Sequence, residues 1–344
     1  MDLRRVRKLN NALPSSGNVV YWMLRDHRVN DNWALLFAQE LASKQNSSVE
    51  VVFCFQAVAV NERQKVFVID GLREFAASAK RLGIQLRLFT STTPMVRHFK
   101  GKSAVVADFN PLTTTLTAKI AKKLKIPFYE VDARNIVPCW AASQKQEFAA
   151  YTLRPKISKL LPQFLKDFPK PRKQKGIVKL PSFPKTKASL YFTAGEAAAR
   201  KQLKLFIRNK LKSYHNNSRN PAADGLSNLS PYLHFGHIST QRVALEVKKA
   251  PVPASAKKAF LEELIVRKEL SDNYCFYNRN YASTKGFPEW AQKTLKKHRK
   301  DKRNYCYSVR ELEKAKTHDE LWNAAQTELI SKGKMHSYLR MYWA

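Results

Sequence analysis

The chain has 344 residues, 44% hydrophobic and 11% aromatic, and its 62 Lys and Arg outnumber 27 Asp and Glu to leave a formal charge of +35. That much apolar material builds real cores and excludes a disordered basic tail protein, and the length exceeds one ordinary domain, so two are expected. Clustered cations on a folded surface bind phosphates by releasing counterions, so the partner is read as a polyanion: nucleic acid first, an anionic membrane surface second.

Residues 1–16 read as a basic tail. From 17 to 140, short β-branched runs alternate with amphipathic stretches. The runs Asn18–Leu24, Val49–Phe55, Gln85–Thr90, Ala104–Asp108 and Pro127–Val131 are candidate strands, with helical patterns over Asn30–Ser43, Asp70–Leu82 and Thr114–Leu124 between them. This spacing predicts βαβ units and an α/β doubly wound parallel sheet. Neither GxGxxG nor GxxxxGK[ST] occurs, so the domain is expected to support rather than catalyse.

Residues 141–190 read as an interdomain linker, whose stretch Lys166–Lys187 mixes Pro with Lys and has no apolar period. From 191 to 344 the strand signals vanish. Leu203, Phe206, Ile207 and Leu211 share one face of a helix over Glu196–Tyr214, and Phe260, Leu261, Leu264 and Ile265 do so over Ser255–Tyr277, predicting an all-helical second domain. Eighteen Lys and Arg face only Asp167 and Glu196 between Tyr151 and Asn220, and seven of the eleven residues from Lys293 to Arg303 are basic. Two such runs around one domain read equally well as solvated faces and as a phosphate-tracking groove.

Cys54, Cys139, Cys275 and Cys306 lie far apart, with no CxxC pair and no His at metal-ligand spacing, so neither a disulfide framework nor a metal site is expected. No run approaches the ~20 apolar residues of a membrane span, and MDLRRVRKLNN lacks the apolar stretch of a secretory signal. The expectation is an intracellular protein, nuclear if eukaryotic and otherwise cytoplasmic.

Three segments carry more polar and aromatic chemistry than a helical core requires. In Tyr214–Ser239, Ser227, Asn228 and Ser230 precede Pro231, so Ser230 or a neighbour is expected to cap a helix starting with proline. Free N–H groups there suit a cofactor phosphate, although a plain N-cap explains the spacing equally well. In Phe260–Asn278, Glu262, Glu263, Arg267, Glu269 and Asn273 fall on two adjoining stripes, with Glu263 and Arg267 at i, i+4. Leu264, Ile265, Val266 and Leu270 surround them, so some charges point inward, where unpaired charge is costly and a ligand is the suggested compensation. In Leu321–Ala344, the stripe of Trp322, Met335, Tyr338, Leu339, Met341, Tyr342 and Trp343 reads more readily as core than as a cofactor box. It stops in mid-helix, without a glycine cap or a proline, and reads as cut.

The wording of five segments goes further than their periodicity. YWMLRDHRVNDNWAL (Tyr21–Leu35), DARNIVPCWAASQKQEFAAYTLRPKI (Asp132–Ile157), NLSPYLHFGHIS, EELIVRKELSDNYCFYN and LWNAAQTELISKGKMHSYLRMYW together resemble the class II cyclobutane pyrimidine dimer photolyases. The resemblance runs from Tyr21 to Ala344 in the family's order and spacing. It implies an α/β antenna domain, a linker and an all-helical FAD-binding domain, with the antenna pigment left open. It also implies a monomeric deoxyribodipyrimidine photo-lyase with no membrane partner, acting on double-stranded DNA containing pyrimidine dimers. Light-excited reduced FAD would donate an electron to a flipped-out dimer, the cofactor carrying the chemistry and the protein supplying position.

Residue by residue, the resemblance assigns Tyr214 and the run Leu226, Ser227, Asn228, Leu229 and Ser230 to the flavin-phosphate segment. Glu263 matches the acid that hydrogen-bonds the dimer, with Arg267 and Asn273 on the same cofactor-facing helix. Tyr338, counted with the cofactor-binding set, and Met341 match positions beside the dimer pocket. Trp322 and Trp343 match members of the tryptophan relay that reduces the flavin. The family continues past the equivalent of Trp343, so the resemblance implies a helical domain incomplete at its C-terminus, with weak flavin retention. Two alternatives remain: a truncated, non-catalytic DNA-binding relative, and a cryptochrome-like flavin light sensor, against which Glu263 and Met341 count.

Overall fold

The computed structural model describes residues 1–57 and 61–344. In chain order its first part comprises β1 (Val6–Lys8), β2 (Val19–Trp22), α1 (Trp33–Lys44), β3 (Val49–Cys54), α2 (Glu62–Arg81), β4 (Gln85–Phe89), α3 (Thr92–His98), β5 (Ala104–Asp108), α4 (Thr114–Lys123) and β6 (Phe128–Val131). The sheet order is β1-β6-β5-β2-β3-β4; β2 to β6 are parallel and β1 is antiparallel to β6. Alternate residues serve opposite layers, as the pleat requires. Val19, Tyr21, Val51 and Phe53 pack with α1 and α2, whereas Val20, Trp22, Val52 and Val105 pack with residues of α3 and α4. Burial on both faces is why the strands read as continuous apolar runs.

The expected doubly wound sheet is therefore present, with two departures. Residues 1–16 do not form a tail: a short 3-10 turn, Leu3–Arg5, leads into β1, which pairs with β6 from Val6 opposite Val131 to Lys8 opposite Tyr129. Arg5 is buried because its guanidinium donates to the carbonyls of Asp132 (3.1 Å), Asn135 (3.0 Å) and Ile136 (2.7 Å) and to Gln241 Oε1 (3.0 Å). Helix α2 starts eight residues before the periodic stretch, where Asn61 Oδ1 accepts the Gln64 N–H at 2.9 Å.

The second part is helical: α5 (Cys139–Ala142), α6 (Ala150–Phe164), α7 (Glu196–Asn209), α8 (Tyr214–Asn217), α9 (Ser230–His234), α10 (Thr240–Lys249) and α11 (Ala254–Leu261). A π-helical turn, Glu262–Arg267, joins α11 to α12 (Lys268–Tyr277), followed by α13 (Glu289–Lys297), α14 (Val309–Glu313), α15 (Glu320–Lys332) and α16 (Leu339–Trp343). No helix among the described residues is long and apolar enough to cross a membrane.

The Pro- and Lys-rich stretch lacks regular structure as expected but is not free in solvent. Gln174 lies at the amino-terminal ends of β3 and β4, accepting from the Val49 N–H (2.9 Å) and donating to the carbonyls of Val49 (2.7 Å) and Gly83 (3.0 Å). Gln39 likewise exchanges two hydrogen bonds with the Arg172 backbone.

The α/β part is bolted to the helices by charge. Arg134 Nε meets Asp272 Oδ2 at 2.8 Å, Lys268 Nζ reaches Asp272 (3.2 Å) and Asn135 Oδ1 (2.7 Å), and Glu269 Oε1 accepts the Ile136 N–H at 2.7 Å. A ligand was the expected compensation for the inward charges; Glu269 instead meets the Ile136 N–H of the α/β part through Oε1, while its Oε2 is buried without a hydrogen-bond partner among the described residues. At the carboxyl ends of β2 and β5, where strand order reverses, Asp108 accepts the N–H groups of Leu24 (2.7 Å), Arg25 (2.7 Å) and Asp26 (3.2 Å). The chain turns there onto Gly236, at φ +67°, whose absent Cβ would sit 2.0 Å from the Arg25 carbonyl. Only glycine permits that approach.

Candidate functional site

The segment 226–230 follows α8 and leads into α9, but its local structure differs from the expected cap. Leu229, without a capping side chain, occupies the N-cap position, and Ser230 is the exposed first residue of a five-residue helix. Ser227 Oγ instead accepts the Leu229 N–H at 3.3 Å. Asn228 takes a left-handed conformation, φ 56°, which its short amide tolerates. Leu226 and Asn228 are thereby placed on the wall of a cleft of about 370 Å³, opposite Glu328, Lys332, Lys334 and His336 of the C-terminal segment.

This wall was not anticipated. Leu321–Ala344 is not one helix: Gly333, at φ 70°, ends α15, and the turn that follows brings Lys334 and His336 to the cleft. Lys334 Nζ donates to Asn228 Oδ1 at 2.9 Å. Burial lowers the pKa of its ammonium; Glu328 opposes that shift, while the nearby cations Arg340, Lys210 and Lys332 add to it. Burial and the Lys334 charge likewise hold His336 below its ordinary value. His336 Nδ1 accepts the Tyr338 N–H at 3.2 Å, which leaves the proton of the neutral ring on Nε2, a buried atom with no partner. Lys332 pairs with Glu328 and Lys210 with Asp224, but the Lys334 ammonium has no carboxylate partner among the described residues; with the orphaned His336 donor and the Asn228 amide it fits the phosphate-bearing part of a flavin dinucleotide.

Tyr214 and Glu263 come together on neighbouring helices. Tyr214 packs edge-on to Phe260, ring centroids 5.2 Å apart, and burial, then the Glu263 charge, push its hydroxyl up to about 12. It is a neutral hydrogen-bonding group at any physiological pH. Glu263 is exposed, and the expected i, i+4 pair with Arg267 does not form. The π turn widens the spacing, so Arg267 Nε lies 3.6 Å from Glu262, one residue earlier than expected. Glu262 is in turn bound in a fork by Arg154, at 2.7 and 3.1 Å. The Asn273 amide is engaged with backbone: its Oδ1 accepts the Glu147 N–H (2.7 Å) and its Nδ2 donates to the Lys145 carbonyl (3.0 Å).

Trp322 and Trp343 stack with ring centroids 6.0 Å apart and planes at 10°. Trp322 Nε1 donates to the Trp343 carbonyl (3.0 Å), Trp343 Nε1 donates to Gln326 Oε1 (3.0 Å), and the Tyr342 hydroxyl donates to Asp319. The C-terminal stripe is not core: Met335 is buried, but Met341 is 86% exposed and Tyr338 and Tyr342 are at least half exposed. Lys334 and His336 thus share the C-terminal segment with the tryptophan pair and face Leu226 and Asn228 across the cleft, whereas Glu263 and Tyr214 stand on a separate helix pair.

Residues 19–172 match the family described as DNA photolyase. The chain is 42% identical over 351 residues to the deoxyribodipyrimidine photo-lyase of Potorous tridactylus, covering 94% of this chain and 66% of that protein. It is 42% identical over 361 residues to the deoxyribodipyrimidine photo-lyase of Arabidopsis thaliana, covering 95% of this chain and 73% of that one. A crystal structure of a bacterial class III photolyase from Agrobacterium tumefaciens shares the fold, with a TM-score of 0.71 at 20% identity over 96% of this chain and 72% of that one.

Proposed function

Because this chain belongs to the DNA photolyase family, we propose that it serves the light-driven repair of cyclobutane pyrimidine dimers in DNA, with FAD as its cofactor. The observation that carries the reading is the cleft in which the flavin-phosphate segment meets Lys334 and His336. When bound, the reduced flavin supplies a photoexcited electron that opens the cyclobutane ring. In this reading Lys334 and the His336 Nε2–H bind the cofactor's phosphate oxygens; the Lys334–Asn228 hydrogen bond and the unpartnered Nε2 support it. The Glu263 carboxylate is the acceptor for a pyrimidine imide N–H, with the Tyr214 ring beside it. The stacked indoles of Trp322 and Trp343 offer a route for electrons through the C-terminal helices. The surplus of cations supplies a grip on DNA phosphates that is independent of sequence.

Selectivity for damage tests this reading. Dimer-bearing duplex is expected to bind more tightly than undamaged duplex at matched salt. Glu263→Ala is expected to reduce that preference by about tenfold to a hundredfold, the worth of one hydrogen bond to a charged acceptor. Equal affinity of the unsubstituted protein for both duplexes would favour the non-catalytic DNA-binding alternative.

A further inference from the structure

We propose that the cavity of about 850 Å³ beside α12 is a second nucleic-acid site, one that takes an unpaired nucleotide of DNA. Its base lies against Phe148 and Phe287 and its phosphate on Arg279 and Lys285. The inference rests on the DNA partner proposed above and adds a contact that the flavin cleft and Glu263 do not make.

Charge is the first support. Arg267, Arg279 and Lys285 line the cavity, and Glu147 is its one lining carboxylate among the described residues. Glu147 is already spent: Lys156 pairs with it and the Ser143 hydroxyl donates to it at 2.6 Å. Arg279 and Lys285 have no carboxylate partner among the described residues, and Arg267 has only a 3.6 Å approach to a Glu262 that Arg154 already holds. The cavity is therefore a concave surface with uncompensated positive charge, which an anion completes.

Apolar surface is the second. Phe148 is 74% and Phe287 44% exposed, rings left in water at the edge of a cationic cavity. Aromatic rings beside unpaired cations are the combination that binds unpaired bases, the rings taking the π face and the cations the backbone. The loop carrying Phe287 is built rather than slack. The Tyr274 hydroxyl (3.0 Å) and Asn278 Nδ2 (3.3 Å) donate to the Gly286 carbonyl, and Gln292 Nε2 donates to that of Phe287 (2.9 Å). A Cβ at Gly286 would sit 2.5 Å from the Asn280 carbonyl, so the turn needs glycine.

Position is the third. Arg267 follows Glu263 by four residues within the same π turn, so the cavity opens about one turn from the proposed lesion contact. Extruding a dimer leaves the bases opposite it without partners, and a stacking site at that distance would hold one of them.

The test compares the complete chain with F148A/F287A and R279Q/K285Q in binding a single-stranded oligonucleotide, an undamaged duplex and a dimer-bearing duplex, with thermal melting to verify folding. F148A/F287A is expected to weaken single-strand binding about tenfold or more, as loss of base stacking does, while changing undamaged-duplex binding less than about twofold. R279Q/K285Q is expected to weaken single-strand binding and flatten its salt dependence by up to about two phosphate contacts. Unchanged single-strand affinity in folded F148A/F287A overturns the second site, and if the unsubstituted protein still prefers dimer-bearing duplex, the repair reading survives. Failure of the unsubstituted protein to bind any of the three DNAs overturns both.

Discussion

Asp272→Asn is expected to lower the unfolding free energy by about 3–5 kcal/mol near neutral pH, the cost of leaving buried cations without their counter-ion. Asp272 is 5% exposed, holds Arg134 against α12 and pairs with Lys268 one turn earlier on that helix, so its loss strands two charges at the seam between the α/β and helical parts. Burial alone would raise its pKa, but Arg134 and Lys268 outweigh burial and hold it down to about 2. A carboxylate depressed below its ordinary value of 3.8 stabilises the fold fully above that value. Its contribution then fades as pH falls through about 2. The gap between variant and parent, measured by urea unfolding at a series of pH values, should therefore be full at pH 6 and should close toward pH 2. A gap that does not change with pH would show that Asp272 acts through packing rather than charge.

Lys334→Met is expected to weaken FAD binding by about tenfold to a hundredfold, the value of a charge-assisted hydrogen bond of about 1.5–3 kcal/mol. Methionine keeps the apolar stem along the cleft wall and removes only the ammonium that Asn228 orients. Quenching of flavin fluorescence on titration gives the affinity in the dark, without any photochemistry. ADP, which carries the phosphates but no isoalloxazine, should lose affinity in parallel. An unchanged affinity for both would place the cofactor's phosphates elsewhere.

Strands β2, β3 and β5 were legible because each is buried on both faces and is written almost wholly in β-branched, aromatic and small apolar residues. Val49–Phe55 was expected and Val49–Cys54 is found. Strand β1 was not legible: three residues, Val-Arg-Lys, at a sheet edge carry no alternation, and a buried arginine satisfied by carbonyls reads in sequence as one more tail cation. Glu269 was expected on an inward stripe and Asp272 was not, and the partners of both in the α/β part lie more than a hundred residues earlier in the chain, which helical periodicity cannot reveal. A π turn leaves no trace in an i, i+4 pattern, and it is what separates Arg267 from Glu263.

The site was legible in part for the same kind of reason. The segment wording points to Tyr214, Leu226, Asn228 and Glu263, whereas a stripe at helical spacing over Leu321–Ala344 gives no sign that Lys334 and His336 line a cleft. Gly333, in the sequence Gly-Lys-Met-His, was the available signal: a left-handed glycine ends α15 and turns both side chains to the cleft.

The most direct measurement is dimer content in DNA incubated with the protein and excess reduced FAD under near-UV to blue light, with dark and flavin-free controls. The expected result is a fall in dimers confined to the illuminated, flavin-supplied sample, slowed by Glu263→Ala. Equal dimer content in the illuminated sample and both controls would contradict the assignment of light-driven repair to this chain.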